Sequence, residues 1–172
     1  MTLKYTPDQD IKVHEEGAIR LICAPFQSHE NGLPEWLKNS SDAYMKSKIS
    51  LDRRAIVVAI QTGRGGQVPT IACLDFVGMT SKTIESDFRM WADPDAASRG
   101  TSGLTLQGGH GNGGKCYMTQ MFEGGAYLLT VRAGKGCRYG VAEKSVKFGY
   151  SPDAKEGRDF IVADVKVVLS EA

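Results

Sequence analysis

The chain reads as an α+β fold: a two-layer α/β sandwich with helices on one face of a mixed, mostly antiparallel sheet. Three observations predict it. Two β-branched runs are joined by a short glycine-rich link, which is a hairpin signal. Other segments carry apolar residues at helical spacing behind start signals. Strands and helices do not alternate in the regular way of a parallel α/β sheet. With 172 residues, one domain can bury roughly 70% of its unfolded surface and needs neither disulfides nor a metal to hold a core.

Taken in order, residues 1–17 are polar and irregular and read as an N-terminal arm, leaving 18–172 as the domain. Ala18–Ala24 (AIRLICA) suits a strand or part of a helix. Leu33-Pro34-Glu35 opens a helix to about Lys48, with proline in the first turn, where its missing N–H costs little. Leu33, Trp36, Leu37, Ser40 and Tyr44 share one side of that helix. Ala55–Ile60 and Thr70–Phe76 form the hairpin around TGRGGQVP. Thr80–Trp91 carries a helix-start signal, Ala92–Leu106 is loop-like, and a further helix follows Lys115. Ala126–Arg132, Cys137–Val141 and Phe160–Leu169 complete the strands, with turns at AGKG and SPDAKEG.

Composition excludes several classes. Lys+Arg 21 against Asp+Glu 20 gives +1, so the whole-chain charge does not recommend nucleic acid or an anionic membrane as partner. No apolar run approaches the ~18 residues of a membrane span, and the N-terminus has no signal-peptide core. Cys23, Cys73, Cys116 and Cys137, like His14, His29 and His110, are scattered. A zinc cage wants closely spaced ligand pairs, so these read as reduced thiols of a cytoplasmic protein.

Three stretches can carry chemistry. In Glu35-x-x-x-Asn39-x-x-Asp42-Ala43 the polar side chains lie within about 60° of one another on a helix. The amide can ligate a hydrated Mg²⁺, which keeps most of its waters, and the acid can serve as a general base. Lys38 and Lys46 share that side, so a solvated polar face is the plain alternative. Asp75 ends a strand before Phe76-Val77-Gly78-Met79; a carboxylate there can accept an amino hydrogen and glycine permits close approach, or the acid simply starts a turn. Gly108-Gly109-His110-Gly111-Asn112-Gly113-Gly114-Lys115 has five glycines in eight residues ahead of a helix. It exposes backbone N–H groups at a positive dipole end beside a cation, an anion cradle; the alternative is a flexible turn.

In this order, the three stretches resemble the GHKL superfamily of ATPases (gyrase B, the ninety-kilodalton heat-shock chaperones, MutL, Microrchidia proteins, histidine kinases). Glu35…Asn39…Asp42-Ala43 looks like the N-box helix of that family. Asp75…Gly78-Met79 looks like its adenine box, one residue short and with one glycine. Gly108 to Lys115 looks like the ATP lid, closest to the Microrchidia form. The resemblance covers about residues 33–120. It implies a Bergerat fold binding Mg-ATP, with Glu35 as the base, Asn39 as the Mg²⁺ ligand and Asp75 accepting from the adenine amino group. The lid backbone and Lys115 would contact the triphosphate. It also implies an N-terminal part of a larger protein, weak in hydrolysis alone, whose ATP-ordered lid serves as a dimerisation switch. The pathway, a client protein and a nucleic-acid target are not legible.

Two other functions fit parts of the sequence. Gly109, Gly114 and Lys115 match G-x-x-x-x-G-K-[ST] except that Cys116 replaces the hydroxyl residue, with Asp164 at the end of FIVAD as the partner acid of a P-loop NTPase. A non-catalytic interaction module with a mobile glycine loop is the third reading.

Overall fold

A computed structural model describes residues 12–93, 95, 111–122, 125–132, 135–141 and 148–151. The architecture over these residues is mixed α and β with antiparallel pairing, in agreement with the expected α+β class. Gly108, Gly109, His110 and the segment Phe160–Leu169 with Asp164 lie outside the described residues. No helix among the described residues is long and apolar enough to cross a membrane.

The stretch left open between strand and helix is helical. Helix α1 spans Glu15–Cys23, with His14 Nδ1 accepting from the Gly17 N–H at 3.2 Å as its cap. Two acids sit in its first turn and Arg20 in its last, complementing the macrodipole. A 3₁₀ turn, Ala24–Phe26, leads to helix α2, His29–Lys46.

Helix α2 begins a turn earlier than the sequence suggests, because Ser28 Oγ caps the Asn31 N–H at 3.3 Å. Pro34 is therefore inside the helix rather than at its start, and the Glu30 carbonyl forgoes its usual i+4 donor. This first stretch, with Asn31, Gly32 and Pro34, is made of poor helix formers. Tertiary packing holds it instead: Gly32 lies flat under the ring of Tyr117, where a Cβ would come within 1.9 Å of the ring.

Strand β1, Val57–Gln61, pairs antiparallel with β2, Thr70–Leu74, in the register Val57↔Leu74 to Gln61↔Thr70. Tyr44 of α2, 1% exposed, pins the open end of this hairpin, where the chain enters β1 and leaves β2. Its hydroxyl donates to the Ala55 carbonyl at 2.6 Å and accepts from the Ala55 N–H at 3.3 Å and the Phe76 N–H at 3.0 Å. Tyr44→Phe should cost about 0.5–1.5 kcal/mol, the net worth of a hydrogen bond lost from a buried hydroxyl whose backbone partners, on the exposed residues Ala55 and Phe76, can turn to water. Urea unfolding checks this, and an unchanged midpoint would show that water replaces the hydroxyl.

Thr80 caps helix α3, Ser81–Thr83, through Oγ1 to the Thr83 N–H, and the helix continues as a π turn over Ile84–Phe88. Ile84 is fully buried among Met79, Phe88 and Leu128. Helix α4, Gly113–Met121, packs on α2 and α1. Strands β3 (Ala126–Arg132), β4 (Lys135–Val141) and β5 (Phe148–Ser151) form an antiparallel meander. Strand β5 is not evident in the sequence, and β4 starts two residues before the expected Cys137. Among the described residues the strands make two separate sheets, β1–β2 and β3–β4–β5, where the sequence suggested one.

Candidate functional site

The site is built where α2 meets the start of α4. Trp36 anchors the meeting: its Nε1 donates to the Gly114 carbonyl at 3.0 Å. Its ring meets Tyr117 edge-on at 4.7 Å and stacks on Phe122 at 5.7 Å. Tyr117, itself fully buried, bonds His29 Nδ1 through its hydroxyl at 2.6 Å. This aromatic group fixes the rotation of α2 against α4, and with it the direction of Glu35 and Asn39.

Both of those side chains face the glycines that open α4. A Cβ at Gly113 would stand 2.3 Å from Glu35 Oε2, and one at Gly114 would stand 2.8 Å from Asn39 Nδ2. Only glycine lets the acid and the amide approach so closely. Lys38 Nζ pairs with the other carboxylate oxygen, Oε1, at 2.6 Å, so Oε2 is the oxygen aimed at α4. Asn39 is exposed, whereas Asp42, a turn further along α2, is 7% exposed. Ala43 closes the helix by accepting the Ser47 N–H at 3.0 Å.

The first N–H groups of a helix have no intrahelical acceptor. Asn112, the N-cap of α4, makes no side-chain capping bond. Its Oδ1 instead accepts the Ala92 N–H at 3.1 Å. The start of α4 is thus a positive dipole end whose cap is turned elsewhere, with a carboxylate oxygen against it, a favourable placement for negative charge. Gly111, just before it, has φ +66°, a conformation that favours glycine.

Lys115 does not join that face. It is 2% exposed, and its ammonium donates to the Met90 carbonyl and lies 4.9 Å over the Trp91 ring. Burial lowers its pKa to about 8, against the opposing influence of Cys116, Cys23 and Asp87.

Asp75 closes the other end of the α2 face. Ser40 Oγ donates to its Oδ2 at 2.8 Å, and the Val77 N–H donates to Oδ1 at 2.9 Å. Each oxygen keeps a further lone pair, and the carboxylate is held in a fixed orientation by the helix that carries Glu35 and Asn39. Gly78 has φ +71°, and a Cβ there would stand 2.0 Å from the Val131 carbonyl oxygen, so both its conformation and the close approach of β3 demand glycine. The Met79 N–H donates to Thr130 Oγ1 at 2.6 Å.

The arrangement brings together Glu35, Asn39, Gly113 and Gly114, and ties Asp75 to the same helix through Ser40. Ser40, Tyr44 and Thr130 position these groups and were not singled out from the sequence. The first two share the side of α2 that carries Trp36, at i+4 and i+8, which marks them as packed but gives them no role; Thr130 carried no signal. Among the described residues, no group of three or more His, Cys, Asp or Glu side chains comes together to hold a metal. Comparison of the chain with protein-family models, with curated proteins and with solved structures finds no match.

Proposed function

We propose that the chain binds Mg-ATP between α2 and the start of α4 and hydrolyses it to ADP and phosphate, within a Bergerat-type sandwich like that of the GHKL ATPases it resembles. One observation carries the reading: Glu35 and Asn39, one helical turn apart, both lie against the glycines that begin α4. A general base, an amide ligand and an anion-binding helix end therefore stand within one phosphate chain of each other.

In this reading Asp75 accepts a hydrogen bond from the adenine amino group while Ser40 and the Val77 N–H hold its carboxylate in place. The N–H groups of Gly113 and Gly114 donate to phosphate oxygens. Glu35 orients a water toward the γ-phosphorus and takes its proton as the new P–O bond forms and ADP leaves. Mg²⁺ would neutralise phosphate charge, held by the Asn39 carbonyl, waters and the triphosphate, as suits an ion that keeps most of its waters. Glu35 and Asn39 leave no room for a phosphate in the packing described, so binding requires α4 to shift from α2. That movement is the switch through which the glycine-rich lid would signal to a dimer partner in a larger protein.

The P-loop reading is less well supported. Its lysine, Lys115, is engaged inward by Met90 and Trp91, and the described strands pair antiparallel.

The test is a calorimetric titration with a non-hydrolysable ATP analogue, with and without Mg²⁺. Binding that strengthens with Mg²⁺ supports the proposal; no heat and no thermal shift leaves the interaction module. Asp75→Asn should weaken the adenine analogue by roughly 10–100-fold, the worth of one hydrogen bond to a charged group, while inorganic triphosphate binds as before. An unchanged affinity would remove Asp75 from adenine recognition.

A further inference from the structure

Helix α4 is fastened on two sides. On one, Trp36 and Tyr117 join it to α2. On the other, two of its own side chains reach the segment that follows the π turn. The Lys115 ammonium donates to the Met90 carbonyl and lies 4.9 Å over the Trp91 ring, and Asn112 Oδ1 accepts the Ala92 N–H at 3.1 Å. Lys115 and Asn112 are both buried, and residues three apart lie on one side of a helix. Together they grip Met90–Ala92. That segment is itself tied back to α2. The Arg89 N–H donates to the Ile84 carbonyl at 2.9 Å, and Ile84 packs against Met79, Phe88 and Leu128. Met79 lies shortly after Asp75, whose carboxylate accepts from Ser40 of α2. The contacts form a closed circuit, from α2 through Asp75, Ile84 and Met90 to α4, and back to α2 through Trp36.

We propose that Lys115 and Asn112 are a clasp that holds α4 shut against Glu35 and Asn39, an autoinhibitory contact that nucleotide must release in order to enter. This rests on the function proposed above, in which a phosphate enters only if Gly113 and Gly114 move off α2. With α4 fixed on both sides, one attachment has to give. The α2 side is the ring cluster of Trp36, Tyr117 and Phe122, an apolar contact for which water offers no substitute. The clasp is polar, and its groups can turn to water once it opens. One residue it grips, Ala92, sits at φ +52°, a left-handed conformation unfavourable to a residue with a Cβ, so opening also relieves backbone strain.

Lys115 makes the clasp responsive to pH. Burial lowers its pKa to about 8, while Cys116 beside it, Cys23 at the end of α1 and Asp87 of the π turn act the other way. Below that pH an ammonium grips the carbonyl and the ring face. Above it a neutral amine keeps a weaker hydrogen bond and loses its attraction to the ring. The fold responds with the opposite sign. Because the lysine pKa is lowered on folding, its buried charge costs stability at neutral pH, and that cost falls as pH rises past about 8. A looser clasp without any loss of stability from this group is the signature.

Calorimetric titration of the full chain with the non-hydrolysable ATP analogue and Mg²⁺, at pH 7 and at pH 9, tests the proposal. Wild-type affinity should rise about fivefold between the two, the difference between a charged and a neutral donor. In Lys115→Met, which keeps the apolar stem, affinity should already be about tenfold higher at pH 7 and should no longer change, because the bond from a charged group is gone. Cys23→Ala should keep the wild-type rise, which separates the lysine from the nearby thiol. Hydrogen exchange of the Ala92 amide, without nucleotide and at one pH, reads the clasp directly and should be faster in Lys115→Met than in wild type. Weaker binding in Lys115→Met would assign the ammonium to the phosphates and overturn the proposal. Unchanged affinity in that variant would overturn the autoinhibition, and unchanged Ala92 exchange would overturn the clasp. Faster exchange with no nucleotide binding in any variant would sink the ATP reading and leave the clasp standing as a hold on α4.

Discussion

Glu35→Gln is expected to lower ATP turnover by about 10²–10⁴-fold, the usual contribution of a positioned general base, with little change in affinity for a non-hydrolysable analogue. The substitution keeps the shape of the side chain and an acceptor for Lys38 Nζ, now 2.6 Å from Oε1. It removes the capacity of Oε2 to take a proton. It also removes a negative charge from the start of α4, a loss of roughly 0.3–1 kcal/mol of charge–dipole attraction, which belongs to stability and not to catalysis. A thermal melt separates the two: a small fall in melting temperature with a large fall in single-turnover phosphate release is the expected pair. Wild-type turnover in the variant would reduce Glu35 to a partner of Lys38 and an electrostatic cap for α4.

The residues that make this prediction possible were legible because helical spacing survives an error in where the helix starts. Glu35 and Asn39 share a side of α2 whether it begins at Leu33 or at His29. The start itself was not legible, since it depends on the Tyr117 ring lying over Gly32, a contact between distant parts of the chain. The β1–β2 hairpin was readable from two β-branched runs and a glycine link, local features that the observed register keeps. Strand β5 has no such pattern in Phe148–Ser151. Asp75 was visible as an acid at a strand end, but its orientation comes from Ser40, which looks in the sequence like one more residue on the apolar side of the helix. Lys115 shows the opposite failure. A lysine at a helix start suggests an exposed cation, yet its flexible stem lets the ammonium turn inward to the Met90 carbonyl and the Trp91 face, where aromatic attraction and a hydrogen bond offset part of the desolvation. Charge can be read from sequence; the direction of a four-carbon stem cannot.

Gly32→Ala tests the packing on which the site depends, and its expected sign is opposite to that of helix propensity. Alanine in a helix interior is favoured over glycine by about 1 kcal/mol, so on local grounds the variant should be stabilised. The added Cβ would instead stand 1.9 Å from Tyr117 Cδ2 and 2.2 Å from Cγ, well inside contact distance. The ring has little freedom to retreat. It is fully buried, its hydroxyl is bonded to His29, and Trp36 and Phe122 meet it edge-on at 4.7 and 5.0 Å. Overpacking of this kind costs about 1–3 kcal/mol or more, and here relief requires α4 to move away from α2. We expect a net loss of about 2 kcal/mol, or a melting temperature lower by roughly 4–8 °C at this chain length. In a Tyr117→Ala background the same change should become stabilising, because the obstacle is gone and only propensity remains. That reversal, read as a double-mutant cycle, distinguishes a clash with Tyr117 from any other reason glycine sits at position 32. A loss of equal size in both backgrounds would mean that α2 and α4 are not packed through this ring, and the opposition of Glu35 and Asn39 to Gly113 and Gly114 would lose its structural basis.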